Sequence, residues 1–269
     1  MAAILAHMQF VRDAVKENPK LFSKSDLKYL LQGATYPDIY YITGLRSITK
    51  KPNFSKFVHE TMDEDYSFAK LLLERAKNQQ EKLFALGFIS HFVLDKHIHN
   101  YINSTELAHS VKHLVSEYYL DTKFKNQKIP IPRYPLKLIK TCFKEYYPMD
   151  YEKFKKRIKL SINSIIFYDF ANRFLIKKIV NARYRKGKYK TRLSLLNVPF
   201  KLARLSKYQK FGYDYRALLN PDISIKIEHT EKMYKLFLKA KEEFIDLVID
   251  YELHISDYTS KQKRIIDFG

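Results

Sequence analysis

At 269 residues and a formal net charge of +20, the chain is long enough to bury a substantial core, as one large domain or two small ones. Six glycines and nine prolines among long Leu/Ile/Lys/Glu-rich stretches point to a mostly helical protein. The single Cys142 excludes an intramolecular disulfide, and no apolar run approaches the roughly 20 residues of a membrane span. The apolar start, Met1 to Ala6, is too short for a signal-peptide core, so the chain reads as soluble and cytoplasmic.

Taken in order, the first element is a helix from about Ala3 to Glu17, with Ile4, Met8, Val11 and Val15 on one face and His7 near it. Asn18-Pro19 ends it, and Ser25-Asp26 can cap a short helix through Leu31. Gly33-Ala34-Thr35-Tyr36-Pro37-Asp38-Ile39 reads as a loop, because Pro37 pushes its predecessor from helical geometry and holds Asp38 at a turn. A polar connection from Lys50 to Phe57 leads to His59. Helices are then expected over Tyr66–Asn78, Gln80–Ile102 and Ser104–Leu120, before a break at Ile129-Pro130-Ile131-Pro132-Arg133-Tyr134-Pro135. Beyond it, helices are expected over Leu136–Tyr146, Tyr151–Arg183, Leu202–Lys210 and Ile225–His254. The expected fold is one compact all-α domain over residues 1–269, a multi-helix bundle with a metal-site half (1–120) and a basic helical half (136–269).

Chemistry concentrates in Gly87 to Ile102. His91, Asp95 and His99 recur there at four-residue intervals, which on a helix stacks them along one face with a drift of about 40° per step. Phe88, Phe92, Val93, Leu94, Ile98 and Ile102 surround them with apolar surface, so this helix should be buried. A buried helix rarely carries two imidazoles and a carboxylate on one stripe without a partner, and a metal ion is the simplest one. In the next predicted helix His109, His113 and Glu117 again sit four apart. Any single histidine of this kind is more often a surface residue of an amphipathic helix; two adjacent stripes argue against that reading. His97, two residues from both Asp95 and His99, points away from the stripe and reads as a solvent-facing or supporting group. His229 and His254 read as surface residues, and Tyr36, Tyr40 and Tyr41 either line the site or belong to the core.

Imidazoles mixed with carboxylates suit zinc. The ligand-capable groups His7, Asp38, His59, His91, Asp95, His99, His109, His113 and Glu117 outnumber what one tetrahedral ion needs. That surplus favours a multinuclear site, and such sites hydrolyse phosphate esters.

The charge is uneven. Residues 1–120 carry 15 Lys/Arg against 13 Asp/Glu, residues 121–269 carry 34 against 16, and Phe170 to Tyr213 holds 13 basic residues and no acid. This reads either as a solvated face or as attraction to a polyanion, nucleic acid or an anionic membrane surface, with Arg183, Arg185, Lys186, Lys188, Lys190 and Arg192 as candidate contacts. Tyr and Phe interleave with these residues around Tyr184–Tyr189 and Tyr208–Tyr215, where they could stack bases.

The order and spacing of His7, Gly33 to Ile39, His59, Ser90 to Asp95, His99 to Ile102 and His113 to Glu117 resemble the zinc-dependent phospholipase C and single-strand nuclease superfamily, in its small intracellular phospholipase C-like branch. The resemblance covers most of the chain and extends, more weakly, to Asp214 to Pro221. It implies an all-helical fold with two or three zinc ions. His59, His91 and Asp95 would hold one, with Asp95 bridging to another; His99, His113 and Glu117 would hold the second. His7 and Asp95 would hold the third, completed by the amine of Ala2 after removal of Met1, in the place where secreted members use an N-terminal Trp. Asp38 would orient or deprotonate the attacking water, or ligate the first zinc, since the two arms of the superfamily differ here. His109 would be an alternate ligand or a supporting donor.

The expected activity is therefore hydrolysis of a phosphate ester, foremost a phospholipid through a phospholipase C-like phosphodiesterase reaction, with peripheral contact to anionic membrane. The alternatives are a zinc-dependent nuclease or other phosphoesterase acting on nucleic acid, and a non-catalytic zinc-stabilised binding protein. A histidine-aspartate phosphohydrolase would need an adjacent His-Asp pair, and the chain has none.

Overall fold

The structure is a computed structural model, and it describes residues 4–38, 57–59, 66–108, 120, 134–158 and 227–266. Among the described residues every regular element is helical. In chain order these are α1 (Ile4–Glu17), α2 (Leu27–Thr35), α3 (Ser67–Arg75), α4 (Gln79–Asn103), a 3-10 turn at Glu106–Ala108, α5 (Leu136–Tyr146), α6 (Pro148–Ile158) and α7 (Ile227–Ile266). The fold is all-α, as composition and periodicity imply.

Helix α4 is the centre. Every residue from Leu83 to Asp95 is buried, which means the helix is covered on all sides rather than along one stripe. Its start is set locally: Asn78 is the N-cap, its side chain accepting from the Glu81 backbone N–H at 3.0 Å, while Glu81 accepts from the Lys77 N–H at 2.8 Å. That use of Asn78 explains why α3 stops at Arg75, short of the expected Asn78, with Ala76 already extended.

Helices α1, α2, α3 and α7 pack around α4. α7 lays down His229, Met233, Phe237, Ala240, Phe244 and Val248, a buried stripe at three- and four-residue spacing. Phe10 of α1 meets Phe237 and Phe244 with ring centroids 5.4 and 5.8 Å away. On the other side Phe68 of α3 reaches Phe88 at 5.7 Å and Phe143 of α5 at 6.1 Å. These aromatic contacts form the core that a chain without tryptophan needs.

Several boundaries differ from expectation. Gly33-Ala34-Thr35 is the last turn of α2, and only Tyr36-Pro37-Asp38 is a turn. The helix ends at Thr35, yet Tyr36 keeps helical dihedrals, φ −61° and ψ −44°, so Pro37 does not push its predecessor from helical geometry as expected; the Tyr36 N–H still closes on the Gln32 and Gly33 carbonyls of the helix. Gly33 belongs to it because α2 crosses α4 at the glycine: a Cβ there would lie 2.0 Å from the Phe84 carbonyl oxygen. Ser104-Thr105 is a turn rather than the start of the expected Ser104–Leu120 helix and leads into a 3-10 turn; the remainder of that expected helix lies outside the described residues, except Leu120. α6 starts three residues before the expected Tyr151, since Pro148 is well placed in a first helical turn. α7 runs on to Ile266, past the expected end at His254. The rest of Tyr151–Arg183 beyond Ile158, and Leu202–Lys210, lie outside the described residues.

No described helix is long and apolar enough to cross a membrane.

Candidate metal centre

Four segments bring ligand-capable side chains to one place. α1 supplies His7, on the buried face with Val11 and Ala14. The turn after α2 supplies Asp38. Residues 57–59 supply His59, seated by Phe57, whose ring lies 4.7 Å from Phe154 and 5.2 Å from Tyr147. α4 supplies His91, Asp95 and His99.

Asp95 is the hub. Its Oδ2 lies 3.3 Å from His59 Nε2 and 3.4 Å from His91 Nε2. Its Oδ1 lies 3.3 Å from His7 Nε2 and 3.5 Å from His99 Nε2. Asp38 Oδ1 stands 3.3 Å from His59 Nε2 and 3.8 Å from His91 Nε2, and its Oδ2 is 4.0 Å from His7 Nε2. The two Nε2 atoms of His59 and His91 are 3.0 Å apart. The His7 and His91 rings are stacked, with centroids 3.9 Å apart.

These spacings fit a shared ion. Ligand atoms about 2.0–2.1 Å from a tetrahedral zinc stand roughly 3.3–3.4 Å from one another. The four carboxylate oxygens of Asp38 and Asp95 and both ring nitrogens of His7 are buried and make no well-formed hydrogen bond among the described residues. Six such atoms in one place would be costly to leave so, and divalent charge would satisfy them. Two sets, His7 with His91 and Asp95, and Asp38 with His59 and His91, each bring their ligand atoms within 4.8 Å of one another. The residues present therefore fit zinc.

His91 is prepared as a neutral ligand. Its Nδ1–H donates to the Ala34 carbonyl oxygen at 2.8 Å, so the lone pair of Nε2 faces the cluster. Burial and the neighbouring His7 lower its pKa, against the pull of Asp38 and Asp95. Burial alone would raise both carboxyls. For Asp38 the opposing His91, His59 and His7 win and lower its pKa; for Asp95, His99 and His91, with His59 and His7, hold it well below the usual range. Burial would lower His59, but Asp38 and Asp95 outweigh it and push it up to about 10. In the metal-free state the two carboxylates thus face a proton carried by His59.

Other expected site residues lie elsewhere. His97 faces away from the cluster, its Nε2–H donating to Glu243 Oε2 at 2.7 Å. His229 is not a surface residue: it is buried, and its Nδ1 is 2.6 Å from the Tyr101 hydroxyl. Counting four residues back from Met233 along the α7 stripe would have placed it there. Tyr36 belongs to the core, fully buried with its hydroxyl donating to the Ile158 carbonyl at 3.1 Å. The Ala34 carbonyl has no signature in sequence, since any residue supplies one. Ala2, Tyr40, Tyr41, His109, His113, Glu117, Arg183, Arg185, Lys186, Lys188, Lys190 and Arg192 lie outside the described residues, as does the side chain of His254.

The family model for zinc-dependent phospholipase C matches residues 6–176, spanning every residue of the cluster. The chain belongs to the zinc-dependent phospholipase C family. No curated protein and no solved structure matches it. As a member of the zinc-dependent phospholipase C family it is assigned to phospholipase C-like, zinc-dependent hydrolases. Its cluster of histidines and aspartates is able to hold a metal ion.

Proposed function

We propose that the chain is a phosphodiesterase that cleaves phospholipid head groups, with His7, Asp38, His59, His91, Asp95 and His99 as its metal-site residues. The observation that carries this reading is Asp95, whose two oxygens face two different pairs of imidazoles inside a family that uses zinc. One oxygen serves His59 and His91, the other His7 and His99, the arrangement expected of a bridging carboxylate. His113 and Glu117 would complete a second ion with His99.

Bound zinc supplies a Lewis acid that polarises phosphoryl oxygens and makes water a better nucleophile near neutral pH. The chain's own groups do the rest. Asp38, ionised because imidazoles surround it, accepts the proton of the attacking water or turns that water toward phosphorus. Asp95 fixes the spacing between the imidazole pairs. His91, held by Ala34, presents one lone pair in one direction. His7, Asp38 and His91 are buried, whereas the side chains of His59 and His99 are 14% and 24% exposed, so a phosphate ester enters from the His59–His99 side.

The test uses the whole, untagged chain. Its zinc is counted, and hydrolysis of a choline-phosphate ester and of single-stranded DNA is followed with and without chelator. Chelator-sensitive lipid hydrolysis is the expected result. Hydrolysis of DNA alone would transfer the site to a nuclease, and a zinc-loaded protein inert on both would leave a binding protein.

A further inference from the structure

We propose that Gly33 and Gly87 are positioning residues for the metal centre, setting the distance at which the Ala34 carbonyl grips His91. This rests on the reading of the cluster as a zinc site and adds how that site is held.

The two glycines meet across the α2–α4 crossing, and neither has room for a side chain. A Cβ on Gly33 would stand 2.0 Å from the Phe84 carbonyl oxygen and 2.6 Å from the Phe88 nitrogen. A Cβ on Gly87 would stand 2.1 Å from the Leu30 carbonyl oxygen and 2.8 Å from its carbonyl carbon. All of these obstacles are backbone, so no side chain can swing away to make space. Relief requires the contacting atoms to move apart by roughly 1.2–1.6 Å, because carbon and carbonyl oxygen settle at about 3.3–3.6 Å.

What lies beyond the crossing makes that separation matter. Four residues on from Leu30 and Gly87 come Ala34 and His91, joined by the 2.8 Å hydrogen bond from Nδ1. Four further on come Asp38 and Asp95, whose Oδ1 and Oδ2 share His59 Nε2 at 3.3 Å each. The two segments, stepped by four residues twice, therefore carry the crossing, the grip on His91 and the paired carboxylates, the last of these from the turn that follows α2 and from α4. Separating the chains at the first step stretches the second beyond hydrogen-bond length and widens the third. Without the Ala34 acceptor His91 is free to rotate or to hold its proton on Nε2, the atom that faces the cluster.

The experiment compares zinc affinity in the parent protein and in Gly33→Ala and Gly87→Ala, with Ile139→Val, buried on α5 and outside both the crossing and the cluster, as a control. The cobalt-substituted protein supplies an absorption spectrum that reports ligand geometry independently of activity. Expected is a loss of at least tenfold in metal affinity and an altered cobalt spectrum in both glycine variants, at helix content equal to that of the parent. Ile139→Val should lower the melting temperature and leave affinity and spectrum unchanged. Parent-like affinity and spectrum in folded glycine variants would overturn the positioning role while leaving the zinc site standing. A parent protein that binds neither metal would sink the zinc reading instead. If the glycine variants do not fold, nitrogen-15 spectra of the parent's histidines decide: zinc on His91 Nε2 with a slowly exchanging Nδ1–H supports the proposal, and zinc on Nδ1 refutes it.

Discussion

His97 and Glu243 stand 146 positions apart in the chain and are joined by a 2.7 Å bond from imidazole Nε2 to carboxylate Oε2. The bond ties α4 to α7 on the face turned away from the metal cluster. Glu243 gathers two further donors there, the Tyr66 hydroxyl at 3.1 Å and Lys96 at 3.4 Å. Among the described residues Tyr66 is also the non-glycine residue with left-handed backbone, φ 57°, at the start of α3. One carboxylate thus holds three elements.

Glu243→Gln keeps the shape of the side chain and removes its charge. The variant should lose about 1–2 kcal/mol of stability, the range of a weakened charge-assisted hydrogen bond. Urea unfolding measures it, and zinc stoichiometry should be unchanged, because His97 takes no part in the cluster. A zinc-depleted variant would contradict that separation of roles.

Asp95→Asn should be the most damaging single change at the cluster. The amide offers one acceptor oxygen where the carboxylate offers two, so one of the imidazole pairs loses its shared partner. Elemental analysis should find at most a small remnant of the parent's zinc, and hydrolysis should fall at least a hundredfold, on the scale of lost metal-site contacts. His99→Ala, by contrast, should retain the ion held by His59 and His91. Equal zinc content in Asp95→Asn and the parent would remove the bridging assignment.

The pH dependence follows from His59. Its pKa in the metal-free protein is raised from 6.5 to about 10, so near neutral pH it is an imidazolium and its Nε2 cannot bind metal. Zinc must expel that proton. Apparent affinity should therefore rise by about tenfold per pH unit above neutrality and level off as pH passes through about 10. The same proton stabilises the metal-free fold. That contribution is complete below 6.5 and is lost as pH rises through about 10. Competition against a chelator of known proton affinity, at about pH 7 and about pH 9, measures the slope. Equal affinities at the two would show that His59 is not a ligand.

Stripping the metal should cost stability as well as activity. With free zinc at about a thousand times its dissociation constant, the folded state gains about 4 kcal/mol over the metal-free one. Chelation should lower the melting temperature accordingly, and Asp95→Asn should show no such response. A parent protein that melts at the same temperature with and without chelator would argue against a site formed by the native fold.

What the sequence disclosed, and what it withheld, divides along a physical line. His91, Asp95 and His99 were visible because one helix carries all three and its period is known. Leu136–Tyr146 was legible to the residue, bounded by Pro135 and by the Tyr147-Pro148 step. His7, Asp38 and His59 come from three separate segments, and no spacing rule predicts that they converge on α4; their residue types marked them as ligand-capable, and only the resemblance to a family assigned them to particular ions. Gly33 was misread as a loop residue because the proline rule at Pro37 was carried too far back along the chain, and the backbone contact that selects glycine here lies 51 to 55 residues away, at Phe84 to Phe88. His229 was misread because a histidine looks polar by itself, although the Met233–Phe237–Ala240 spacing places it on the buried stripe.

The bond from the Tyr36 hydroxyl to the Ile158 carbonyl has a mechanical meaning. Tyr36 sits two residues before Asp38, and Ile158 closes α6, in the half of the chain where basic residues prevail. A near-neutral half with the metal-site residues and a basic half invite the thought that each could be expressed alone. This bond says otherwise: a fragment ending at residue 120 would lose the acceptor that anchors the Asp38 turn, together with the Phe143 and Phe154 rings that seat Phe57 beneath His59. The family match, which runs to residue 176, likewise continues past that cut. The residues that hold the metal site in place therefore extend beyond residue 120, to Phe143, Phe154 and Ile158.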